Sequence, residues 1–299
     1  MDWQHYLFDF ETHLRLERNL ADNSVQAYLR DVSHLRRFAE AARVEPEEVT
    51  PQLLRQVVAQ LAEAHVETTT QCRIISGWRA FYRMLLVRGV VPRNPADEVE
   101  MPSRGKHLPD VLSDAEIAAM QATLQLGLPG RFRNYVIIEI LYGCGLRVSE
   151  LVNLKLSNIY TDEQMLQVIG KGNKERWVPI NAHALKLLQD YILYDRSKLE
   201  IQHGEELYVF LNLHGHRLTR IAVFQFIKQA ALDAGIKKTV SPHSLRHSFA
   251  TELVQNGADL RAVQEMLGHE SLVTTEIYTH LSRQYLRDTI STYHPHYKK

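Results

Sequence analysis

The spacing of apolar residues in the first ninety positions predicts four helices. Trp3, Leu7, Phe10 and Leu14 recur at intervals of three and four, which puts them on one helix face. A second helix follows Asp22 or Asn23, a third covers residues 51–64, and a fourth begins in the threonine run at 68–70. The apolar stripes of the second and fourth helices, which we predict to face the core, are Val25, Tyr28, Val32, Leu35 and Ile74, Trp78, Phe81, Leu85.

The opposite faces of the second and fourth helices are rich in basic residues. At 100° per residue, Arg30, His34 and Arg37 point away from the apolar stripe of the second helix. Solvated arginines explain this pattern, and so does a surface that grips a phosphate backbone. The residues predicted on the outer face of the fourth helix are Cys72, Ser76, Arg79 and Arg83.

A proline-rich stretch then interrupts the helical pattern. Residues 90–110 contain Pro92, Pro95, Pro102 and Pro109, which break helices and favour extended backbone. We therefore predict an N-terminal helical domain at 1–104, a linker at about 90–110 and a larger domain at 108–299.

The second domain is predicted to be mostly helical with a small β-sheet. Ser113 and Glu116 have the spacing of a capping box at a helix start, and helices continue through residues 133–145. The apolar runs 165–170 and 175–180, joined by the turn 171–174, indicate a β-hairpin. Helices resume to the end, so the predicted fold class is mainly α.

Composition narrows the class of protein only a little. The 299 residues include 35 Lys and Arg and 35 Asp and Glu, and this zero net charge argues weakly against a nucleic-acid partner. A basic face balanced by an acidic one would give the same total. Cys72 and Cys144 are expected to be reduced thiols. With neither a signal peptide nor an apolar run of membrane-spanning length, we expect a soluble cytoplasmic protein without a membrane partner.

Residues 241–257 have the pattern of a helix that begins at an anion site. Ser241 is a candidate N-cap, Pro242 suits the first helical position, and Gly257 can end the helix. His243 and Arg246, three residues apart, then lie near a helix N-terminus, where phosphate is favoured. An ordinary capped helix with surface polar residues is the plain alternative.

A zinc site is a further interpretation of the histidines. His243 and His247 are four residues apart, and His269 or His280 could supply a third ligand. No acid lies between the pair to act as a base, so this hypothesis is the weaker one.

Three more segments place reactive residue types near turns. Asp259 and Gly268 bound a predicted helix, His269 follows it, and Tyr278 lies about two turns into the next helix, for which Ser271 is a candidate cap. A tyrosine has a pKa of about 10 and attacks poorly unless cations stabilise the charge that develops on its target. Arg147 follows a glycine-containing turn with Glu150 three residues later, and Lys171 lies in the predicted hairpin turn.

Taken together, these segments resemble the tyrosine recombinases, also called the phage integrase family. The resemblance rests on GLRVSEL, the hairpin lysine, HSLRH and LGHESLVTTEIYTH, in that order. VIGKGNKERWVP, SPHSLRHSFAT and His294-Pro295 are most similar to the bacterial Xer recombinases, slightly more the XerD than the XerC type. Cys144 departs from the threonine or alanine that relatives often have, which affects only local packing.

The resemblance implies a role for each matched residue. Tyr278 would attack the scissile phosphodiester to give a 3′-phosphotyrosine, with Arg147 and Arg246 on the non-bridging oxygens. His269 would donate a hydrogen bond to the phosphate, and Lys171 would protonate the departing 5′-oxygen. His243 would handle the tyrosine proton, and Glu150 would support the arginines. No cofactor or metal would be needed, because the phosphotyrosine conserves the energy of the broken bond.

The resemblance also implies an assembly. The partner would be a double-stranded recombination site, on which four protomers act through a Holliday junction, together with a second Xer recombinase and a cell-division DNA translocase. Chromosome dimers would be resolved at a dif-like site. Residues expected to contact DNA are Arg30, Arg37, Arg79, Arg83 and Arg220. The C-terminal residues 292–299 would dock into a neighbouring protomer, unless they are a frayed terminus.

Four other functions remain open at this point. The histidines could form a metal-dependent nuclease or phosphodiesterase, and the chain could be a DNA-binding module with a decayed site. A type IB topoisomerase shares the chemistry, and a mobile-element integrase would have nearly the same motifs.

Overall fold

The computed structural model describes residues 2–103, 111–170, 174–268 and 283–297. The chain forms two compact units that divide between His107 and Leu108. Lys171, His269, Ser271, Tyr278 and His280 lie outside the described residues.

The first unit consists of four main helices around an aromatic core. Their bounds are α1 (Trp3–Thr12), α2 (Asp22–Ala41), α3 (Pro51–Glu63) and α4 (Thr68–Val87). Trp78, Phe81, Tyr82 and Leu85 of α4 are fully buried, and the Phe10 ring meets the Phe81 ring edge-on at 5.3 Å. The predicted helices and core stripes are therefore confirmed, although α2 begins at Asp22 itself rather than after it.

Two residues of α4 do not lie on the outer face where the helical period placed them. Cys72 is 2% exposed, and its Sγ lies 3.5 Å from the carbonyl oxygen of Pro102. Arg79 donates from Nε to the Ala96 carbonyl (3.0 Å) and from Nη2 to the Val99 carbonyl (2.8 Å). That prediction was wrong for these two positions, because α4 packs against residues 95–102 on one side as well as against α2 on another.

The second unit has eight further helices among its described residues and a three-stranded sheet. The helices are α5 (Asp114–Ala122), α6 (Arg131–Gly143), α7 (Val148–Val152), α8 (Ala182–Asp190), α9 (Arg220–Asp233), α10 (Pro242–Gln255), α11 (Leu260–Leu267) and α12 (Arg283–Tyr293). The strands are β1 (Ile159–Tyr160), β2 (Met165–Ile169) and β3 (Glu175–Pro179), antiparallel in the order β1-β2-β3. The central helix α6 contacts α5, α7, α8 and α10.

Local sequence signals explain where these elements begin and end. Ser113 and Glu116 form the predicted capping box of α5, and Ser241 caps α10 with Pro242 at its first position. The predicted hairpin is confirmed, since Ile169 pairs with Glu175 at its closed end and Met165 with Pro179 at its open end. Both cysteines are buried and free. The fold class is mainly α with a small antiparallel sheet.

Candidate active site

Arg147 lies at the entrance to α7, after a turn that needs a glycine. Gly145 has a φ of +61°, and a Cβ there would come within 2.4 Å of the Phe249 ring. Glu150, at the third position of α7, accepts from the backbone N–H of Arg147 at 2.7 Å and from its Nη1 at 2.8 Å. The predicted pairing of Arg147 with Glu150 is therefore present.

Arg246, on α10, also extends its guanidinium group toward Glu150. Its side chain is 6% exposed, and Nη1 lies 3.9 Å from Glu150 Oε2. Nη1 donates to the Gly145 carbonyl at 2.7 Å, and Nη2 donates to the Leu267 carbonyl. The turn before α7 and the end of α11 thus hold Arg246 from two sides.

Arg176 completes the cluster and was not among the predicted site residues. It lies on β3 and forms a two-pronged ion pair with Glu150, with Nη1 to Oε1 at 2.6 Å and Nη2 to Oε2 at 2.7 Å. A partial signal was present in the sequence, because Arg176 lies on the same strand face as the apolar Val178, and an arginine buried on such a face needs a carboxylate partner. We call Arg147, Arg176, Arg246 and Glu150 the arginine cluster.

The C-terminal end of α11 organises the three arginines. Gly268 ends this helix with a φ of +61°, and the carbonyls of Met266, Leu267 and Gly268 each accept from a different arginine. Cations at a helix C-terminus are favoured, because the last carbonyls lack partners within the helix. A Cβ at Gly268 would lie 3.0 Å from Arg176 Cδ, so glycine is needed for space as well as for φ.

The electrostatics of the cluster favour an anion. Burial alone would raise the pKa of Glu150, but the hydrogen bonds and charge of Arg176, with those of Arg147, hold that pKa below its ordinary value. Burial and the charge of Arg147 lower the pKa of Arg246, whose guanidinium still keeps its proton at neutral pH. Three guanidinium groups and one carboxylate leave two net positive charges, and Arg147 remains 32% exposed.

The remaining predicted site residues fall into two groups. His243 is exposed in the first turn of α10, three residues before Arg246. Lys171, His269 and Tyr278 lie outside the described residues, but Gly170 and Gly268, which precede Lys171 and His269, both lie beside the cluster. A Cβ at Gly170 would be 3.5 Å from Glu150 Oε1, and the Gly268 carbonyl accepts from Arg147 Nη2 at 2.8 Å.

The predicted DNA-contacting arginines differ in solvent exposure and in their hydrogen bonds to the protein. Arg30, Arg37 and Arg83 are exposed in the first unit, whereas Arg79 is held by backbone carbonyls. Arg220 is exposed at the start of α9 in the second unit.

Two observations on the described residues concern the zinc site and membrane-spanning helices. Within residues 2–103, 111–170, 174–268 and 283–297, no three His, Cys, Asp or Glu side chains are grouped closely enough to hold a metal ion. His269 and His280, which the zinc hypothesis needs, are not among them. No helix in the described part of the chain has the length and apolar character to cross a membrane.

Comparison with known proteins identifies the family. The model of the phage integrase family matches residues 110–285, and that of the phage integrase N-terminal SAM-like domain matches residues 7–89. The chain is 37% identical over 296 residues to the tyrosine recombinase XerD of Chlorobaculum tepidum, covering 98% of this chain and 97% of the relative. It is 40% identical over 290 residues to XerD of Lacticaseibacillus casei, covering 96% of each.

A solved structure shows the same fold. The XerH site-specific recombinase bound to a palindromic difH substrate, in a post-cleavage complex, superposes with a TM-score of 0.69 at 21% identity, covering 89% of this chain and 78% of that one. The chain therefore belongs to the phage integrase family of tyrosine recombinases. It is a site-specific DNA recombinase of the Xer type.

Proposed function

We propose that this chain exchanges DNA strands through a covalent tyrosine intermediate at a dif-like site. Tyr278 attacks the scissile phosphodiester and forms a 3′-phosphotyrosine, while the 5′-oxygen leaves with a proton from Lys171. Arg147 and Arg246 hold the non-bridging oxygens together with His269, and His243 accepts the tyrosine proton. The free 5′-hydroxyl of a partner strand then attacks the phosphotyrosine, which restores the phosphodiester and releases Tyr278.

The arginine cluster is the observation that carries this proposal. A pentacoordinate phosphorus in the transition state bears about two negative charges, which matches the cluster's two net positive charges. Each terminal nitrogen of Arg246 uses one N–H on a carbonyl and has a second N–H for phosphate. Donors fixed in this way need little reorganisation when charge develops on the phosphate.

A nicked suicide substrate tests the reaction class. Such a substrate loses the short strand after cleavage, so the covalent protein–DNA adduct accumulates. We expect this adduct in excess EDTA. A metal-dependent nuclease would give no cleavage under EDTA, and a DNA-binding module with a decayed site would give no adduct under any condition. Relaxation of plasmids without regard to sequence would favour a type IB topoisomerase instead.

Replacing Lys171 by alanine is expected to slow cleavage by at least about 100-fold, because the leaving oxygen then departs without a positioned acid. DNA affinity should change little. The rates are measured in single-turnover adduct assays at saturating DNA. A substrate with a 5′-bridging sulfur, whose thiolate leaves without a proton, should restore the rate of the Lys171→Ala variant. Without that rescue, Lys171 would not be the general acid.

The DNA contacts outside the active site are also part of the proposal. Arg30 and Arg37 of α2, Arg83 of α4 and Arg220 of α9 are the exposed candidates for phosphate contacts. Arg79 is a weaker candidate, because the Ala96 and Val99 carbonyls already bind its guanidinium.

We further propose that four protomers assemble on paired sites in the cytoplasm, with a second Xer recombinase and under control of a cell-division DNA translocase. XerD is the name of the relatives in C. tepidum and L. casei, and difH is the substrate of XerH. The C-terminal segment, residues 292–299, would be exchanged between protomers. In its described part, residues 292–297, the segment is not frayed, since it contains the end of α12 and a turn of 3-10 helix at Pro295–Tyr297.

The segment makes specific contacts with the rest of the second unit. His296 Nδ1 lies 2.9 Å from Glu139 Oε1, and Asn181 Nδ2 donates to the His296 carbonyl at 3.2 Å. The Tyr297 hydroxyl donates to the Pro179 carbonyl at 3.0 Å, and the fully buried His294 ring packs against Tyr142. A segment with such specific partners can be exchanged for the same segment of another copy.

Acid should release the C-terminal segment. Burial and the neighbouring His296 lower the pKa of His294 to about 4 from 6.5, although Asp114 and Glu139 oppose the shift. The pKa of His294 is lower in the folded state than in the unfolded state. Neutral His294 therefore stabilises docking above pH 6.5, and this stabilisation is lost as the pH falls toward 4. The loss is about 2 kcal/mol at pH 5.

Hydrogen exchange of α12, corrected for intrinsic rates, measures this effect between pH 7.5 and 5. We expect protection to decrease in the wild type but not in His294→Phe, which keeps an aromatic ring at this position. His214→Phe, at an exposed site, is the matched control and should behave like the wild type. If His294→Phe loses protection at the same pH as the wild type, another group is responsible.

A further inference from the structure

Arg176 binds Glu150, as Arg147 does, but the proposed mechanism gives Arg176 no role. Its side chain is 10% exposed, and its Nε donates to the Met266 carbonyl at 2.7 Å. Its two terminal nitrogens bind the two oxygens of Glu150 at 2.6 and 2.7 Å. With one bond to each of three acceptors, the guanidinium is fixed in a single orientation.

This arrangement fixes the surroundings of both phosphate-binding arginines. Glu150 Oε1 accepts from Arg147 Nη1, and Oε2 lies 3.9 Å from Arg246 Nη1, so the position of the carboxylate sets where both guanidinium groups lie. The helix end that Arg176 binds through Met266 continues into Leu267 and Gly268, whose carbonyls hold Arg246 and Arg147. Arg176 therefore acts on each of these arginines through two contacts, the carboxylate and the helix end.

Arg176 also connects the hairpin to this cluster. It pairs with Val168 across the sheet, next to the Ile169–Glu175 pair at the closed end. Gly170, which precedes the turn containing Lys171, donates from its N–H to the Lys174 carbonyl at 2.8 Å. A Cβ at Gly170 would be 3.5 Å from Arg176 Nη1. A shift of the Arg176 side chain would thus displace the ends of β2 and β3 that lead into the turn.

We propose that Arg176 is a positioning residue for strand cleavage, which holds Glu150 and the end of α11 so that Arg147 and Arg246 meet the scissile phosphate in register. The inference rests on the proposed function, in which those two arginines bind the phosphate. Arg176 itself is too enclosed to touch the phosphate, and it is not a catalytic residue. Because a displacement of about 1 Å can cost about 100-fold in rate, a positioning role predicts a large kinetic effect.

The test uses Arg176→Lys and Arg176→Met in the full chain, with Lys198→Met at an exposed position as the matched control. The readouts are DNA affinity, thermal unfolding and the single-turnover rate of adduct formation on a nicked substrate. We expect Arg176→Lys to fold, to bind DNA within about twofold of wild type and to cleave at least about tenfold more slowly, because one ammonium cannot replace a fork. A wild-type rate for Arg176→Lys would overturn the proposal.

A neutral methylphosphonate at the scissile position separates positioning from general stability. It has one fewer charged oxygen, so it depends less on well-placed arginines, and the gap between variant and wild type should narrow. The Arg176→Lys effect should also be smaller in a Glu150→Gln background, since both changes weaken the same carboxylate contact. Equal losses on both substrates, or additive effects, would make Arg176 merely structural. If the wild type formed no adduct, the proposed function would fail, whereas a wild-type adduct with an unimpaired variant rejects only the role of Arg176.

Discussion

Tyr278→Phe is expected to abolish the covalent adduct while leaving DNA binding within about twofold of wild type. Phenylalanine keeps the ring but lacks the oxygen that would bond to phosphorus. The measurement is a denaturing gel of the suicide-substrate reaction, with affinity determined separately by gel shift. The loss should be complete, since covalent catalysis has no bypass that leaves a protein–DNA bond.

A matched tyrosine variant makes this test specific. Tyr285 lies seven residues later, on α12, and is 42% exposed. Tyr285→Phe should form the adduct at the wild-type rate. An adduct that persists in Tyr278→Phe would show that the nucleophile is assigned to the wrong residue, and peptide mapping of the DNA-linked fragment would then identify the right one.

The helices and the hairpin could be predicted from sequence because their signals are local. The apolar period of α1 and α2, the capping box at Ser113, the N-cap at Ser241 and the apolar runs of β2 and β3 each lie within about ten residues. The pairing of Arg147 with Glu150 was equally accessible, since residues three apart at a helix start are neighbours in space.

Cys72 and Arg79, the two residues of α4 that were placed on the wrong face, show what a helical period cannot predict. A helical period identifies the side of a helix that faces one neighbouring element, but α4 packs against more than one such element. Cys72 and Arg79 are covered by residues 95–102, which form a short 3-10 helix at Pro95–Glu98 and then an extended stretch, too short to have an apolar period of their own. The sequence could not indicate which face such a segment would cover.

Arg176 was missed for a related reason. It lies 26 residues from Glu150 and 90 from Met266, so its partners come together only when the sheet packs against α7 and α11. The family motifs consist of residues that would contact DNA, whereas Arg176 binds Glu150 and the Met266 carbonyl. Residues that position others are therefore the ones for which a structure adds most.

Glu150→Ala is expected to lower the free energy of unfolding of the second unit by about 3–5 kcal/mol, the cost of breaking a buried ion pair. Glu150 is 1% exposed, and its removal leaves Arg176 and Arg246, at 10% and 6% exposure, without their counter-charge. Adduct formation should fall as well, because the arginines repel one another once the carboxylate is gone. Glu150→Gln should lose less stability, since its amide oxygen still accepts hydrogen bonds.

Glu116→Ala is the matched control for this prediction. Glu116 is also the third residue of a helix with a capping box, and it pairs with Lys238 at 2.7 Å, but its side chain is 26% exposed. Its loss should cost only about 1 kcal/mol, the usual contribution of a cap and a surface pair. Urea unfolding followed by hydrogen exchange of β2 and β3 peptides reports on the second unit alone. If both alanine variants lost the same stability, the arginine cluster would not depend on a buried counter-charge, and the carboxylate would act only as a helix cap.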